Sequence, residues 1–400
     1  MIADTPAVVL GAGVNGLGVA RSLARARVPV WLLDTDVRRP EMHTRAAKPL
    51  QIRATHGETL VEELVRLGTA RLSGVRPVLF LTQEESVKTV SRHRDLLSAF
   101  YRFSLPPADV VDTLLHKEGF QRRAEQLGSP IPPLLHVRTL EDLAALERLH
   151  YPVVVKPGER NADYGGQFRK AYRVESAAEA AGLVRRILPV MADVVVQEWI
   201  EGPDSDIHFC LQYLAGQGQV VASFTGRKIR SWPPQVGGTA SCTAAAEVHA
   251  ELSAMTTRFF QDAGVIGMAS MEYKRDARSG EFRMVEPTIG RTDYQEEVAS
   301  LNGVNLPFAA WRSELGLPLP PPAAARRPVV WRVRSEDMQS ATAQGQRLTQ
   351  GYPRGPVADA LFRWHDPMPC LAEGLQRVRR ALHDRTSKML PGSIAARSKS

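Results

Sequence analysis

Two glutamates, Glu272 and Glu286, lie fourteen residues apart in segments typical of neighbouring strands, GMASMEYKRD and EFRMVEPTIG, joined by the turn ARSG. Carboxylates on adjacent antiparallel strands can point into one cleft, which is how proteins hold Mg²⁺ against the phosphates of a substrate. Apolar neighbours such as Met271 and Met284 predict that both glutamates face a largely buried layer, where a charge needs a partner or a metal. The alternative is a solvated hairpin with acidic residues on its wet face.

Basic residues at strand positions supply a second part of a possible phosphate site. Lys156 ends the strand YPVVVKP and precedes a glycine-containing loop, residues 158–168, so it could reach phosphates as a point charge while the loop covers them. Lys228 and Arg230 alternate along the segment GRKIRS and are expected to share one face of a strand. Two cations on one face indicate an anion between them, or else a basic face in solvent.

The segment VVVQEWIEGPDSD has the features of a nucleoside site. An apolar strand leads into Gln197 and Glu198, followed by Ile200, and the backbone of such a strand could pair with the edge of adenine. Asp204, four residues beyond Ile200, could accept hydrogen bonds from ribose hydroxyls. Taken alone, this combination of strand, turn and acid has little specificity.

The elements around these residues indicate a mixed fold. From residue 7 to about residue 84, strands alternate with helices, which predicts a parallel sheet with crossover helices. The stretch DVVDTLLHKEGFQRRAEQLG is predicted to be one helix that opens a second domain, and the chain becomes largely antiparallel after residue 190. Prolines at 318–322 and Pro328 mark a boundary before a smaller C-terminal unit.

The opening turn offers a competing interpretation. Gly11, Gly13 and Gly16 spell GxGxxG between a strand and a helix, and Asp34 ends the second strand. This is the local fingerprint of a dinucleotide-binding oxidoreductase. The antiparallel continuation of the chain argues against that interpretation, and favours a turn that binds another anion or packs the first helix.

Composition narrows the functional classes. The chain has 400 residues, 44% apolar and 24% charged, a net charge of +8, and a basic tail from Arg377 onward with seven Lys or Arg and one acid. The body is near neutral, which argues against a nucleic-acid enzyme. Three scattered cysteines indicate a reducing, cytoplasmic environment, and we find neither a secretion signal nor an apolar run long enough for a membrane span.

The order of the segments around Lys117 and of VVVKP, QEWIEGPD, RKIR, MEYKRD and MVEPTIGR resembles the ATP-grasp superfamily of carboxylate–amine ligases. It is most similar to the branch of ATP-grasp carboligases related to D-aspartate ligase. The resemblance implies an α/β and α+β fold: a Rossmann-like pre-ATP-grasp domain over 1–110, an ATP-grasp domain over 111–320 with a lid at about 135–198, and a C-terminal extension over 321–400. It also implies ATP and Mg²⁺ as cofactors.

The resemblance assigns roles to individual positions. Glu272 and Glu286 would hold magnesium, and Lys228, with Arg230 nearby, would stabilise the transferred phosphoryl group. The nucleotide would be bound by Lys117, Lys156, Gln197, Glu198, Ile200 and Asp204. Gly238 and Thr239 would belong to a substrate loop, and Asn15 would hold an anionic substrate group.

Two departures from the family pattern matter. His116 precedes Lys117 where an acid is common, and the last metal motif, usually Glu-x-Asn, ends here in Thr288, a poorer Mg²⁺ ligand. Arg291 and Asp293 are the residues that could compensate, with Arg291 in a catalytic role.

The predicted activity is ATP-dependent joining of a carboxylate to an amine, through an acyl phosphate. The alternatives are an NAD(P)-dependent oxidoreductase and a non-catalytic ATP-binding protein. Expected partners are small-molecule substrates, with a homodimer left open.

Overall fold

The computed structural model describes residues 5–72, 74–158, 162–169, 171–319 and 327–389. Within them the chain forms three sheets, one parallel and two dominated by antiparallel pairs. The mixed α/β architecture predicted from the sequence is therefore present.

The first sheet is parallel, with the strand order β3-β2-β1-β4. Three of its strands are apolar and mostly buried, including the four fully buried residues of the first strand, as expected for a parallel sheet, whereas the edge strand KPLQ is largely exposed. The elements in chain order are β1 (Ala7–Leu10), α1 (Val14–Arg25), β2 (Val30–Asp34), β3 (Lys48–Gln51), α2 (Gly57–Ala70), β4 (Val78–Leu81), α3 (Glu84–Arg92) and α4 (Arg94–Ser98).

The prediction of a single helix over the segment DVVDTLLHKEGFQRRAEQLG is wrong. The structure has two helices there, α5 (Ala108–Leu115) and α6 (Lys117–Gln126). His116 between them is extended, with φ −87° and ψ 130°. The two helices pack closely: a Cβ on Gly119 would lie 2.1 Å from the carbonyl oxygen of Thr113. The break makes Lys117 the first residue of a new helix.

A four-stranded antiparallel sheet follows, with the order β5-β8-β6-β7. Its inward valines pack with helix α8 in a separate apolar cluster. Of the predicted phosphate loop, residues 159–161 lie outside the described residues, and 162–167 form a short helix rather than a loop. The elements are β5 (Leu134–Val137), β6 (Val153–Pro157), α7 (Ala162–Gln167), β7 (Tyr172–Val174), α8 (Ala177–Ile187) and β8 (Val194–Glu198).

The largest sheet has seven strands in the order β13-β12-β9-β10-β11-β14-β15, antiparallel except for its last pair. Strand β9, third in this order, is buried along its whole length. The elements that complete the chain are β9 (Ile207–Leu214), β10 (Val220–Trp232), β11 (Gly238–Ala244), α9 (His249–Asp262), β12 (Gly267–Arg275), β13 (Phe282–Ile289), α10 (Glu297–Leu301), α11 (Leu306–Glu314), β14 (Val330–Arg332), α12 (Arg334–Ala343), β15 (Val357–Asp359) and α13 (Met368–Met389).

A buried ion pair joins the two ends of the described chain. Arg21 of α1 donates through Nε to the Asp366 carboxylate at 2.9 Å, and also donates to the carbonyl oxygens of Ala360 and Leu361. Burial alone would raise the pKa of Asp366, but hydrogen bonds from Thr44 and the Arg45 amide, together with Arg21, hold it below its usual value. The segment before α13 is therefore held against α1.

None of the described helices is both long enough and apolar enough to cross a membrane. The end of the predicted basic tail, residues 390–400, lies outside the described residues.

Candidate active site

A cleft of about 430 Å³ lies between the second sheet and the β12–β13 edge of the large sheet. It brings together ten of the residues predicted from sequence to form the site. They are Lys117, Lys156, Gln197, Glu198, Ile200, Lys228, Gly238, Thr239, Glu272 and Glu286.

Glu272 and Glu286 are directly paired in the antiparallel register of β12 and β13. Directly opposed residues have Cβ atoms about 5 Å apart and share a face, and like charges in that position repel. The predicted burial is only partly correct: the Glu272 side chain is 24% exposed and Glu286 is exposed, because β13 is the open edge strand of its sheet.

Lys228 of β10 contacts this pair, with its Nζ 2.8 Å from Oε2 of Glu272. Burial alone would lower the pKa of Lys228, but Glu272, Glu286 and Asp293 outweigh that effect and raise it. Burial raises the pKa of Glu272, and Glu286 and Asp293 add to the rise, whereas Lys228 opposes it. One ammonium thus faces three carboxyl groups, and the cluster favours a further cation.

Asp293 lines the same cleft, just beyond β13. Its carboxylate accepts hydrogen bonds from the Ser270 hydroxyl at 2.8 Å, the Tyr294 amide at 2.8 Å and the Gln295 side-chain amide at 3.3 Å. Ser270 is two residues before Glu272 on β12, so Asp293 is held on the glutamate face of the strand.

Glu296 follows in the same loop. Burial raises its pKa to about 8, and Asp293 contributes to the rise. Glu296 therefore keeps its proton at neutral pH and adds no negative charge beside the cleft.

Side chains at the opposite end of the cleft are already held by protein partners. Lys156 Nζ donates to Oε1 of Gln197 at 2.8 Å, and the Glu198 carboxylate accepts from the backbone amide of His150 at 2.8 Å. The amides of Glu198 and Trp199 donate to Pro133 and Pro152 carbonyls. These two amides are therefore committed to the sheet and are not available to a base, contrary to the strand-edge hypothesis.

The Trp199 ring forms part of this end of the cleft, and sequence reasoning missed it. Two cations lie over the ring, with the guanidinium carbon of Arg173 at 5.4 Å and Nζ of Lys274 at 5.1 Å from the ring centre. Burial lowers the pKa of Lys274, although Asp204 and Asp206 oppose the effect. An aromatic residue inside the QEWIEG segment was the available signal.

Other cleft residues missed by sequence reasoning come from loops, where spacing gives no guide to side-chain direction. They are Pro132, Gln235, Val236, Tyr294 and Gln295.

Asp204 does not line the cleft. Asp204 is 5% exposed, and its carboxylate accepts hydrogen bonds from the backbone amides of Ser231 at 2.9 Å and Gln235 at 2.8 Å. These hydrogen bonds hold the C-terminal end of β10 and the loop after it. Both carboxylate oxygens of Asp204 thus bind backbone amides, and the side chain does not reach the cleft for the predicted ribose contact.

Arg230 also lies outside the cleft. Its Nε donates to the Asp337 carboxylate of α12 at 2.8 Å, Nη1 donates to the Gln350 carbonyl oxygen, and both charged side chains are fully buried. The pairing of β10 with β11 shifts between Lys228 and Arg230, which marks a bulge. Because of this bulge, Lys228 and Arg230 do not share one face of the strand, and the prediction that they bind one anion together is wrong.

Arg291 and Asn15 are likewise placed away from the cleft. Arg291 borders a separate cavity of about 30 Å³ between β4 and the large sheet. Asn15 is buried, donates to the carbonyl oxygens of Thr82 and Thr292, and accepts from the Thr292 hydroxyl at 2.7 Å. Neither side chain is positioned for the predicted catalytic or substrate contact.

The glycine turn has a packing explanation. Gly11 has φ +93° and approaches Thr82, and a Cβ on Gly16 would lie 2.0 Å from the Gly11 carbonyl oxygen. Asp34 is buried and accepts from the Ala12 amide at 2.8 Å, so its carboxylate serves the turn itself. This geometry favours the packing interpretation over a dinucleotide site.

Among the described residues, Glu118, His136 and Asp193 are three possible ligands whose donor atoms all lie within 4.8 Å of one another, a spacing that Glu272, Glu286 and Asp293 do not meet. Arg138 contacts both of the acids, at 3.0 Å and 3.3 Å, and offsets one of their two negative charges.

The donors around Glu272 fit magnesium better. Two opposed carboxylates, a third from Asp293 and the cleft beside them give oxygen ligands and room for phosphates. Mg²⁺ is usually bound by one or two carboxylates together with substrate phosphates.

Comparison with known proteins supports the fold. No family model matches the chain. A segment of 223 residues is 25% identical to the carbamoyl phosphate synthase large chain of Thermomicrobium roseum, covering 51% of this chain and 20% of that protein. The chain thus spans a fifth of the length of this relative.

Solved structures match over most of the chain. An N5-carboxyaminoimidazole ribonucleotide synthetase in complex with ADP superposes with a TM-score of 0.63, 15% identity and 86% coverage of both chains. The biotin carboxylase domain of a Hydrogenobacter thermophilus 2-oxoglutarate carboxylase, with MgADP, ADP and bicarbonate, gives 0.61 at 13% identity, covering 82% of this chain and 73% of that one. Phosphoribosylglycinamide synthetase from Anaerococcus prevotii gives 0.59 at 13% identity, with 78% and 75% coverage.

These neighbours are ATP-grasp enzymes, so the chain has the ATP-grasp fold that the sequence resemblance predicted.

Proposed function

We propose that this protein is an ATP-dependent ligase that joins a carboxylate to an amine through an acyl phosphate, releasing ADP and phosphate. The observation that carries the proposal is the direct register of Glu272 with Glu286, beside Lys228, in one cleft. The fold supports it, because its structural neighbours include complexes with ADP and MgADP. The relation to D-aspartate ligase, with an amino acid as one substrate, remains a prediction.

The proposal assigns roles in nucleotide binding and phosphoryl transfer to five residues of the cleft. Lys117 and Lys156 bind ATP phosphates, and Trp199 and Ile200 face the base. Lys228 contacts the transferred phosphoryl group, since its raised pKa keeps it protonated through the neutral range. Its ammonium then offsets the negative charge that develops on the phosphoryl oxygens.

Glu272, Glu286 and Asp293 would hold Mg²⁺. Thr288 stands where the family pattern has an asparagine ligand, and Asp293 would take over the role of that ligand. When bound, the ion neutralises charge on the outer phosphates of the nucleotide. The hydrogen bonds from Ser270, Tyr294 and Gln295 orient the Asp293 carboxylate for this task.

The reaction needs no protein nucleophile. A carboxylate oxygen of the substrate attacks the γ-phosphorus, and the bond from that phosphorus to the β,γ-bridging oxygen breaks, which releases ADP. The amine nitrogen of the second substrate then attacks the acyl carbon, the carbon–oxygen bond to phosphate breaks, and the nitrogen loses a proton to solvent. Gly238 and Thr239, which border the cleft, are the proposed substrate contacts.

A second candidate function is ATP binding without catalysis, which Thr288 at the end of the metal motif favours. It predicts nucleotide binding but no ADP release with any substrate mixture.

A coupled assay of ADP release against a panel of amino acids and other carboxylic acids tests the proposal. Wild type is expected to release ADP with at least one pair of substrates, and Glu286→Gln to lose roughly 100-fold or more of that rate. Glu281→Gln is the matched control, because Glu281 lies on the same hairpin, outside the cleft, and pairs with Arg283. Equal rates for Glu286→Gln and wild type would refute the metal assignment.

A further inference from the structure

Helix α13 turns an apolar ridge outward, away from the body of the protein. Leu371, Leu375 and Val378 recur at helical spacing and are 56%, 63% and 57% exposed. Another side of the helix contacts residues 40–43, where Gln376 donates a hydrogen bond to the carbonyl oxygen of Arg38. A surface helix normally turns its apolar stripe toward the core, so this ridge indicates an external partner.

The C-terminal unit, residues 321–400, carries the positive charge of the whole chain. It contains fourteen Lys or Arg against six Asp or Glu, and this excess of eight equals the net charge of +8 of the full chain. The first 320 residues are therefore electrically balanced. Charge concentrated on one part of a protein attracts a partner of the opposite sign.

The exposed surface of this unit is more positive than its composition. Between residues 327 and 379, every exposed Asp, Glu, Lys or Arg is an arginine. Two of the acids, Asp337 and Asp366, are buried against Arg230 and Arg21. The exposed arginines are Arg327, Arg334, Arg347, Arg354, Arg377 and Arg379.

Ridge and charge meet on α13. Arg379 is exposed and lies one helical turn after Leu375, beside the ridge, whereas Glu373 lies on the other side of the helix. From Arg377 onward the sequence has seven Lys or Arg and one acid. A basic helix with one aliphatic side is typical of helices that lie in the interface of a membrane.

We propose that α13 docks this protein on a membrane surface that contains anionic lipids. Leu371, Leu375 and Val378 enter the boundary between headgroups and acyl chains, and the exposed arginines face the lipid phosphates. The helix lies in the plane of the membrane and does not cross it. Because the segment before α13 is held by the buried pair of Arg21 and Asp366, docking of the helix brings the whole protein to the surface.

The ridge selects lipid among the possible anionic partners. A nucleic acid would engage the arginines through its phosphates, but a row of aliphatic side chains gains nothing from phosphate and sugar. A bilayer satisfies both features, since it offers anionic headgroups above an apolar layer. It also accepts a straight ridge along one helix without a complementary pocket.

Co-sedimentation of the full chain with lipid vesicles tests the proposal. Wild type is expected to bind vesicles of mixed phosphatidylcholine and phosphatidylglycerol at least about 10-fold more tightly than vesicles of phosphatidylcholine alone. Binding to the mixed vesicles should weaken as salt is added, because exposed charges are screened. Equal binding to both kinds of vesicle, or no binding to either, would overturn the proposal.

An uncharged change of the ridge tests its apolar part. Leu371→Gln combined with Leu375→Gln should weaken binding to the mixed vesicles at least about 10-fold, because two aliphatic side chains no longer enter the interface. The matched control is Leu96→Gln combined with Leu140→Gln, at two leucines that are 49% and 60% exposed elsewhere, and it should bind like wild type. Thermal unfolding followed by circular dichroism establishes that each variant is folded.

A charge change tests the basic part. Arg379→Gln should weaken binding to the mixed vesicles about 5-fold, the contribution of one cation near an anionic surface. Arg258→Gln, at an arginine of α9 whose side chain is 83% exposed, should leave binding unchanged.

A labelled DNA duplex separates lipid from nucleic acid. The double change of Leu371 and Leu375 removes no charge, so any binding of DNA should change by less than about 2-fold. DNA binding that falls as much as vesicle binding, or vesicle binding that survives this double change, would overturn the proposal. None of these results depends on the ligase assignment.

Discussion

At the scale of residues, the charge balance around Lys228 decides what the cleft can bind. Its ammonium satisfies one oxygen of Glu272, while Glu286 and Asp293 lie near enough to raise the pKa of the lysine. Glu272 has a raised pKa, chiefly because it is buried and secondarily because of the neighbouring acids. Three carboxyl groups around one ammonium leave an excess of negative charge, which favours a further positive ion in the cleft.

Asp293→Asn tests the third ligand. We expect this change to weaken Mn²⁺ binding about 10-fold, or about 1.4 kcal/mol, because an amide oxygen is a weaker ligand than a carboxylate. Thr288→Ala should change the affinity by less than about 2-fold, since its hydroxyl is not assigned to the metal. Isothermal titration with Mn²⁺ measures both, and the opposite order of effects would show that Thr288 is the ligand.

Cation binding should depend on pH through Glu272. Because the pKa of Glu272 is raised above 4.5, this carboxyl stays protonated to a higher pH than an ordinary glutamate. A bound cation must displace that proton. Affinity for Mn²⁺ should therefore rise with pH through the raised pKa and then level off, with proton release on binding. Titration in two buffers of different ionisation enthalpy detects the protons, and Glu272→Gln should abolish both the release and the rise.

At the scale of elements, the bulge in β10 divides one strand between two tasks. Before it, Lys228 enters the cleft; after it, the fully buried Arg230 side chain pairs with Asp337 of α12 and donates to carbonyl oxygens of the loop at 348–350. Asp337 at the centre of that network also accepts from Ser241 and Tyr352. The second half of the strand therefore attaches α12 and the loop at 348–350 to the large sheet.

Asp337→Asn should destabilise the protein by about 3 kcal/mol or more, because it leaves the buried Arg230 charge without its counter-ion. Asp262→Asn, which removes an exposed ion pair with Arg258 at 4.0 Å, should cost less than about 1 kcal/mol. Urea unfolding followed by fluorescence gives both values. Equal small effects would mean that Arg230 finds another partner and that the network is not structural.

The elements also show where sequence was sufficient. The β12–β13 hairpin was predictable from apolar residues on both sides of a turn, whereas the direct pairing of Glu272 with Glu286 was not, because it depends on a register shift between Glu272 and Tyr273. The bulge at Arg230 was not, because the shift depends on pairing with β11. The break at His116 was hidden for the same kind of reason: close packing of α5 on α6 overrides the helical pattern.

At the scale of the whole molecule, the cleft is assembled from parts distant in sequence. Lys117, Lys156 and Lys228 come from a helix and from two different sheets, and they meet because the second sheet faces the β12–β13 edge. Ordered motifs were enough to predict this group. Asp204, Asn15 and Arg291 were not correctly placed by motif order, because each is bound by backbone or loop partners that only the folded chain defines.

Electron paramagnetic resonance of Mn²⁺ with a non-hydrolysable ATP analogue tests the central claim most directly. The account predicts that wild type and Glu281→Gln form the protein–Mn²⁺–nucleotide complex with similar affinity. It predicts that Glu286→Gln weakens that complex at least about 10-fold, because one of the two opposed carboxylates is lost. Equal affinity for Glu286→Gln and wild type, or no Mn²⁺–nucleotide complex in wild type, would contradict it.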